Sequence, residues 1–147
     1  MWIACLIRTS NRVRERIAAG LLDTSVVIDL ERIPVGRLPV QVSISAITLA
    51  ELSAGPAASD NSHERARRQD RLQRAESVFE PIPFGTEAAR AYGRVYAAVM
   101  DSGRQPRRRL ADLLIASVAI AEGLPLLTRN VEDFAGLGDL LTIIDVE

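Results

Sequence analysis

Short, nearly unbroken apolar runs alternate with stretches of helical periodicity along this chain. Leu21 and Leu22 lead into Asp23 and Thr24, so 21–24 reads as a strand that ends in polar residues, with a helix opening at Ser25. QVSISA, 41–46, alternates and is β-rich, which predicts a second strand. Thr48 and Glu51 have capping-box spacing at the start of ITLAELSAG, a helix that Gly55 and Pro56 end. Residues 59–79 form a charged helical stretch in which Glu64 to Arg68 and Asp70 to Arg74 have the favourable i,i+4 order, and Pro81 and Pro83 break it. Thr86 caps a further helix, with Tyr92, Val95, Tyr96 and Val99 at helical spacing; GRQPRRR is a basic loop. LADLLIASVAIAEG is a strongly apolar helix ended by Gly123. PLLT is a buried strand, RNVEDF a turn into a short helix, and LTIIDV a final strand.

Apolar strands alternating with helices argue for an α/β fold, a central and mostly parallel sheet covered by helices on both faces. The 147 residues suit one domain. We place it at 20–147, with 1–19 as an N-terminal extension whose apolar-then-basic order is the reverse of a secretory signal. Translation starting nearer Val13 would make part of that extension a start-site artefact. No run approaches the roughly 18 apolar residues of a membrane span.

Composition narrows the chemistry. At 48% hydrophobic and 25% charged, the chain is a folded globular protein rather than a disordered one. Its single cysteine, Cys5, rules out an internal disulfide and a cysteine zinc site, which makes a reducing cytoplasm the expected compartment. Net charge is −1, so no global field points to nucleic acid; all 18 basic residues are arginine, a bias that GC-rich coding would also produce.

Four acids stand out by position. In an open parallel sheet, ligands bind beyond the carboxyl ends of the strands. Asp23 closes the first strand, Glu51 lies one turn into the helix after the second, Asp133 follows PLLT, and Asp112 begins an otherwise apolar helix. Each has an ordinary alternative: a helix cap for Asp23, the capping-box partner for Glu51, a macrodipole acid for Asp112 and a solvated turn for Asp133. Together they would repel one another and raise each other's pKa. There is no lysine to compensate them, and the only histidine, His63, lies in the charged helix as a surface residue. A hard divalent cation, Mg²⁺ or Mn²⁺, is the economical counter-charge for all-oxygen ligands.

The series LLDTSVVIDL, ITLAEL and RLADLLIASVAIAEGLPLLTRNVEDF resembles the PIN-domain family, specifically VapC-type toxins of toxin–antitoxin pairs, from about Gly20 to the C-terminus. The resemblance implies a Mg²⁺- or Mn²⁺-dependent ribonuclease whose four acids match Asp23, Glu51, Asp112 and Asp133. It also implies a cognate antitoxin and a homodimer. Mg²⁺ takes only one or two direct carboxylates, so Asp23 and Asp112 are assigned as ligands, and Glu51 and Asp133 as the catalytic acids that hold and orient water. Thr24, Thr128 and Asn130 would aim those carboxylates. Asp29 and Glu31, past the first helical turn, are expected to be exposed.

Arg104, Arg107, Arg108 and Arg109 precede Asp112 closely enough to contact RNA phosphates, whereas the arginines of 60–76 interleave with acids as on a solvated face. Aromatic content of 4% argues against reading unpaired bases by stacking. Three other readings stay open: a phosphohydrolase with a nucleophilic Asp, a non-catalytic PIN-like module, and a DNA nuclease. The first is disfavoured by Ser25 standing two residues after Asp23 and by the absence of lysine. The second is disfavoured by the retention of all four acids.

Overall fold

A computed structural model describes residues 16–147. Four strands form one parallel sheet in the order β2-β1-β3-β4, where β1 is Ala19–Leu22, β2 Gln41–Ser43, β3 Leu126–Thr128 and β4 Ile143–Asp145. The intervening helices are α1 (Thr24–Ile28), α2 (Ala46–Ala54), α3 (Ser62–Val78), α4 (Thr86–Asp101) and α5 (Leu110–Glu122). The α/β expectation holds.

The strand pattern explains the layering. Neighbouring residues of a strand face opposite sides. Leu21 and Leu126 therefore pack with Val95, Val99, Leu113 and Ile115 of α4 and α5. Leu22 and Leu127 pack with Val26, Leu52 and Ala75 of α1, α2 and α3. Both faces are buried, which is why the strands read as continuous apolar runs. Gly20 is needed where β1 passes β3, because a Cβ there would stand 2.5 Å from Leu127 Cδ1 and 2.9 Å from Pro39 Cγ.

Gly123 ends α5 in the left-handed conformation, φ 65°, with its N–H donating to Ala119 and Ile120. Pro81 and Pro83 bracket Ile82, which extends the sheet edge by a parallel bridge to Ser45. Among the described residues no helix is long and apolar enough to cross a membrane.

Three helix starts differ from the sequence expectation. Ser45, not Thr48, caps α2 by accepting from the Thr48 N–H at 3.1 Å. Ser45 has the extended backbone a cap requires, and Thr48 is already inside the helix. Glu51 is thereby released from a capping box. Gly85 caps α4 with no side-chain bond, and Asp23 itself caps α1, which begins at Thr24. In α3 the Glu64–Arg68 pair forms at 3.1 Å, whereas Arg74 turns instead to Glu31.

The tail of the basic loop, Pro106–Arg109, is a 3-10 turn. The start-site expectation falls on residues 1–15, outside the described residues. From Arg16 onward the chain is engaged: its guanidinium donates to the carbonyls of Leu38 and Pro39.

Candidate active site

Asp23 leaves β1 at its carboxyl end and is 3% exposed. Its Oδ1 accepts from the Val26 N–H at 3.2 Å and from the Ser25 hydroxyl at 2.5 Å; its Oδ2 accepts from the Thr128 hydroxyl at 2.6 Å. Three of the roughly four acceptor positions of the carboxylate are thus taken by neutral donors. Among the described residues no arginine pairs with it. Thr128 is wholly buried, and its own Oγ1 accepts from the Asn130 N–H at 2.9 Å, which directs the hydroxyl proton toward Asp23. Asn130 thus acts through its backbone; its exposed side chain makes no hydrogen bond among the described residues.

Glu51, one turn into α2, is exposed, and its Oε1 accepts from the Thr24 hydroxyl at 2.6 Å. The Thr24 and Thr48 hydroxyl oxygens lie 3.1 Å apart, and Thr48 is fully buried, so the α1 and α2 starts are joined through hydroxyls. A cleft of about 370 Å³ opens beside Thr24 and Glu51, with Ile28, Gly55, Arg68 and Arg71 on its far walls.

Asp112 is half-buried in the first turn of α5. Burial, followed by the charges of Asp133, Asp23 and Glu51, pushes its carboxyl up to about 6; Arg109 partly opposes the rise. The macrodipole at a helix start favours a charged acid, and here desolvation and like charge overcome it. Asp133, in the turn Val131–Phe134, accepts from Arg109 NH1 at 2.7 Å. Asp112 thus feels the charges of the other three acids, opposed by Arg109.

Arg109, expected to reach RNA, is occupied by Asp133 instead. Arg107 and Arg108 are exposed, and Arg104 donates to the Glu132 carbonyl at 2.8 Å. Asp29 departs from its expected exposure: it is half-buried against Arg129 at 2.6 Å, whereas Glu31 is exposed as expected. Ser25 and Thr48 entered the sequence reading at helix starts and not as partners of the acids, and Arg129 was not singled out. Ser25 carried a usable signal, because a hydroxyl two residues after a capping Asp commonly closes a local turn. Arg129 carried none.

The donor set tests whether a hard cation fits. It is all oxygen, it repels itself, and Asp112 shows that repulsion in its pKa. No three acids among the described residues stand close enough to form a finished ligand cage. A hard cation held here would therefore keep most of its waters, with one or two direct carboxylates.

Comparison with known proteins adds an independent line. The PIN-domain family model matches residues 20–139. Ribonuclease VapC5 of Mycobacterium tuberculosis is 40% identical over 125 residues, 82% of this chain and 88% of that protein. Ribonuclease VapC of Rickettsia bellii is 33% identical over 129 residues, 82% and 91%. Among solved structures, VapBC-5 from M. tuberculosis, a member of the VapBC family of toxin–antitoxin systems, matches with TM-score 0.76 at 35% identity, covering 88% of this chain and 98% of that one. DNA-bound VapBC from Salmonella typhimurium matches with TM-score 0.67 at 25% identity, covering 89% and 99%. By sequence along most of its length and by the course of its backbone, this chain belongs to the PIN-domain family, among its VapC-type toxins.

Proposed function

We propose that the chain is a Mg²⁺-dependent endoribonuclease, the toxin of a toxin–antitoxin pair, with Asp23 and Asp112 as cation ligands. The observation that carries the reading is the Asp112 carboxyl, pushed to about 6 by burial and by three other acids from three other parts of the chain. Acids gathered at such cost call for a cation when the site works. Bound there, Mg²⁺ or Mn²⁺ supplies charge neutralisation of the phosphodiester and acidification of an attacking water.

The chain's own residues do the rest. Ser25, Val26 and Thr128 hold the Asp23 carboxylate in one orientation. Glu51, fixed at Oε1 by Thr24, keeps Oε2 free to accept a proton from the attacking water. Asp133, held by Arg109, orients water. Arg107 and Arg108, exposed just before α5, contact RNA phosphates and make binding salt-dependent without selecting sequence.

A cognate antitoxin is supported by the relatives crystallised as VapBC complexes. A homodimer through α4 is supported by Tyr96 and Met100, which stay exposed while Val95 and Val99 fill the core. Of the four residues at helical spacing in the sequence, Tyr92, Val95, Tyr96 and Val99, only Tyr96 is exposed.

The test is incubation of antitoxin-free protein with structured RNA, in Mg²⁺ or in EDTA, beside Asp23→Asn. Cleavage that needs the cation and disappears in the variant supports the reading. Cleavage that survives EDTA, or that Asp23→Asn performs at the wild-type rate, refutes it. A folded protein that cleaves DNA but not RNA leaves the site and removes the substrate.

A further inference from the structure

Arg129 follows Thr128 at the end of β3 and does two things at once. Its guanidinium donates to Asp29 Oδ2 at 2.6 Å, across 100 positions of sequence. Its backbone N–H donates to Ser25 Oγ at 3.2 Å, and the Ser25 hydroxyl donates in turn to Asp23 Oδ1 at 2.5 Å. Asp29 is the C-cap of α1, the helix whose N-cap is Asp23. Both ends of α1 are therefore fastened to the turn after β3, one by an ion pair and one by a hydroxyl.

The pair is among the more enclosed ion pairs of the described residues, level with Arg68–Glu64 at 31% and 30%. Its side chains are 29% and 31% exposed, against 71% for each partner of Arg90–Glu87. The second cation near Asp29, Arg32, lies 4.0 Å away and is 84% exposed, so it does not replace Arg129. Ion pairs that still reach solvent add little to global stability. The geometry gives this one another use.

We propose that Arg129 and Asp29 are positioning residues for the cation site. The pair holds the turn after β3 against α1, and through the Arg129 N–H and the Ser25 hydroxyl it sets the orientation in which Asp23 meets a divalent cation. This builds on the reading of Asp23 as a ligand. Outer partners of ligand residues typically change metal affinity by about 10–100-fold when removed. The chain Arg129–Ser25–Asp23 puts Arg129 one hydrogen bond further out, so the low end of that range, about tenfold, is expected.

The experiment titrates Mn²⁺ alone into the full-length, metal-free protein and reads free Mn²⁺ by electron paramagnetic resonance. It compares wild type with Arg129→Gln, Asp29→Asn, Ser25→Ala, the Arg129→Gln/Ser25→Ala double, the charge swap Asp29→Arg/Arg129→Asp, and Asp23→Asn. Each single clamp variant should bind Mn²⁺ about tenfold more weakly while keeping its metal-free melting temperature. The double should be no weaker than the singles, because both changes act through one oxygen. The swap should recover most of the loss, and it carries the test with Asp29→Asn should Arg129→Gln fold poorly. Clamp variants that bind like wild type, or losses that multiply in the double, overturn the inference while the site stands. Wild type and Asp23→Asn that bind Mn²⁺ alike remove the ligand reading and the clamp together.

Discussion

Replacing Asp112 by Asn should make the protein more stable as it loses activity, provided no divalent cation is present. The carboxyl has an ordinary value of 3.8 and is raised to about 6 in the fold, first by burial and then by Asp133, Asp23 and Glu51. A raised acid is protonated more readily when folded than when unfolded. Folding therefore takes up a proton between pH 3.8 and about 6, and stability falls as pH rises through that window. Above about 6 the full penalty is present; below 3.8 both states are protonated and it vanishes.

Taken at face value the gap is worth about 3 kcal/mol. Asp112 is only half-buried, so solvent screening reduces this to about 1–2 kcal/mol. Asn keeps the shape and loses the charge. For a domain of this size, about 4 °C per kcal/mol converts the gain to a melting temperature about 4–8 °C higher in EDTA at pH 7.5. The difference between variant and wild type should shrink as pH is lowered and disappear near pH 4. With millimolar Mg²⁺ it should also shrink, since the cation stabilises the wild type by mass action. Thermal melts read by circular dichroism at pH 4, 6 and 7.5, with and without Mg²⁺, decide the matter. A variant less stable than wild type in EDTA at pH 7.5, or a gap unchanged across that range, would refute the electrostatic account of the site.

Asp23→Asn should abolish RNA cleavage and leave the circular dichroism spectrum intact, because an amide still accepts from Thr128 or Val26; residual activity above about 1% in a gel assay would count against it as a ligand. Thr128→Val removes the hydroxyl that donates to Asp23 Oδ2 and should lower activity about 10–100-fold, read as a higher Mg²⁺ requirement rather than weaker RNA binding. Gly20→Ala places a Cβ against Leu127 and Pro39 and should lower stability by about 1–3 kcal/mol in urea melts. Arg107→Ala with Arg108→Ala should weaken RNA binding uniformly across sequences and reduce its salt dependence, measured by filter binding at several KCl concentrations.

What the sequence made legible follows from what is local in it. Leu21, Leu22, Leu126 and Leu127 announced strands buried on both faces, and the acids beyond the strands pointed to a candidate site, because the parallel topology gathers strand ends at one edge. Helix caps were less legible. Ser43, Ser45 and Thr48 are all capping residue types within six positions, and only backbone angles select Ser45. That choice matters for function, since it separates Glu51 from its capping role and leaves it to Thr24. Apart from the local Glu64–Arg68 pair, the destinations of arginines were not legible. Arg109 meets Asp133, Arg74 meets Glu31 and Arg129 meets Asp29 through contacts 24, 43 and 100 positions apart, set by packing that no window of sequence contains.

β1, one of the two inner strands, has a consequence beyond its four residues. Leu21 belongs to one apolar cluster and Leu22 to the other, with Asp23 next in line. This short segment, like Leu126 and Leu127 of β3 beside it, is thus a keystone of both halves. The molecule should come apart all at once, and a disturbance in either layer lies one or two peptide bonds from the buried carboxylate. Substitutions far from the acids can then silence the protein by loosening that segment, so loss-of-function changes should scatter through both layers rather than gather at the cleft.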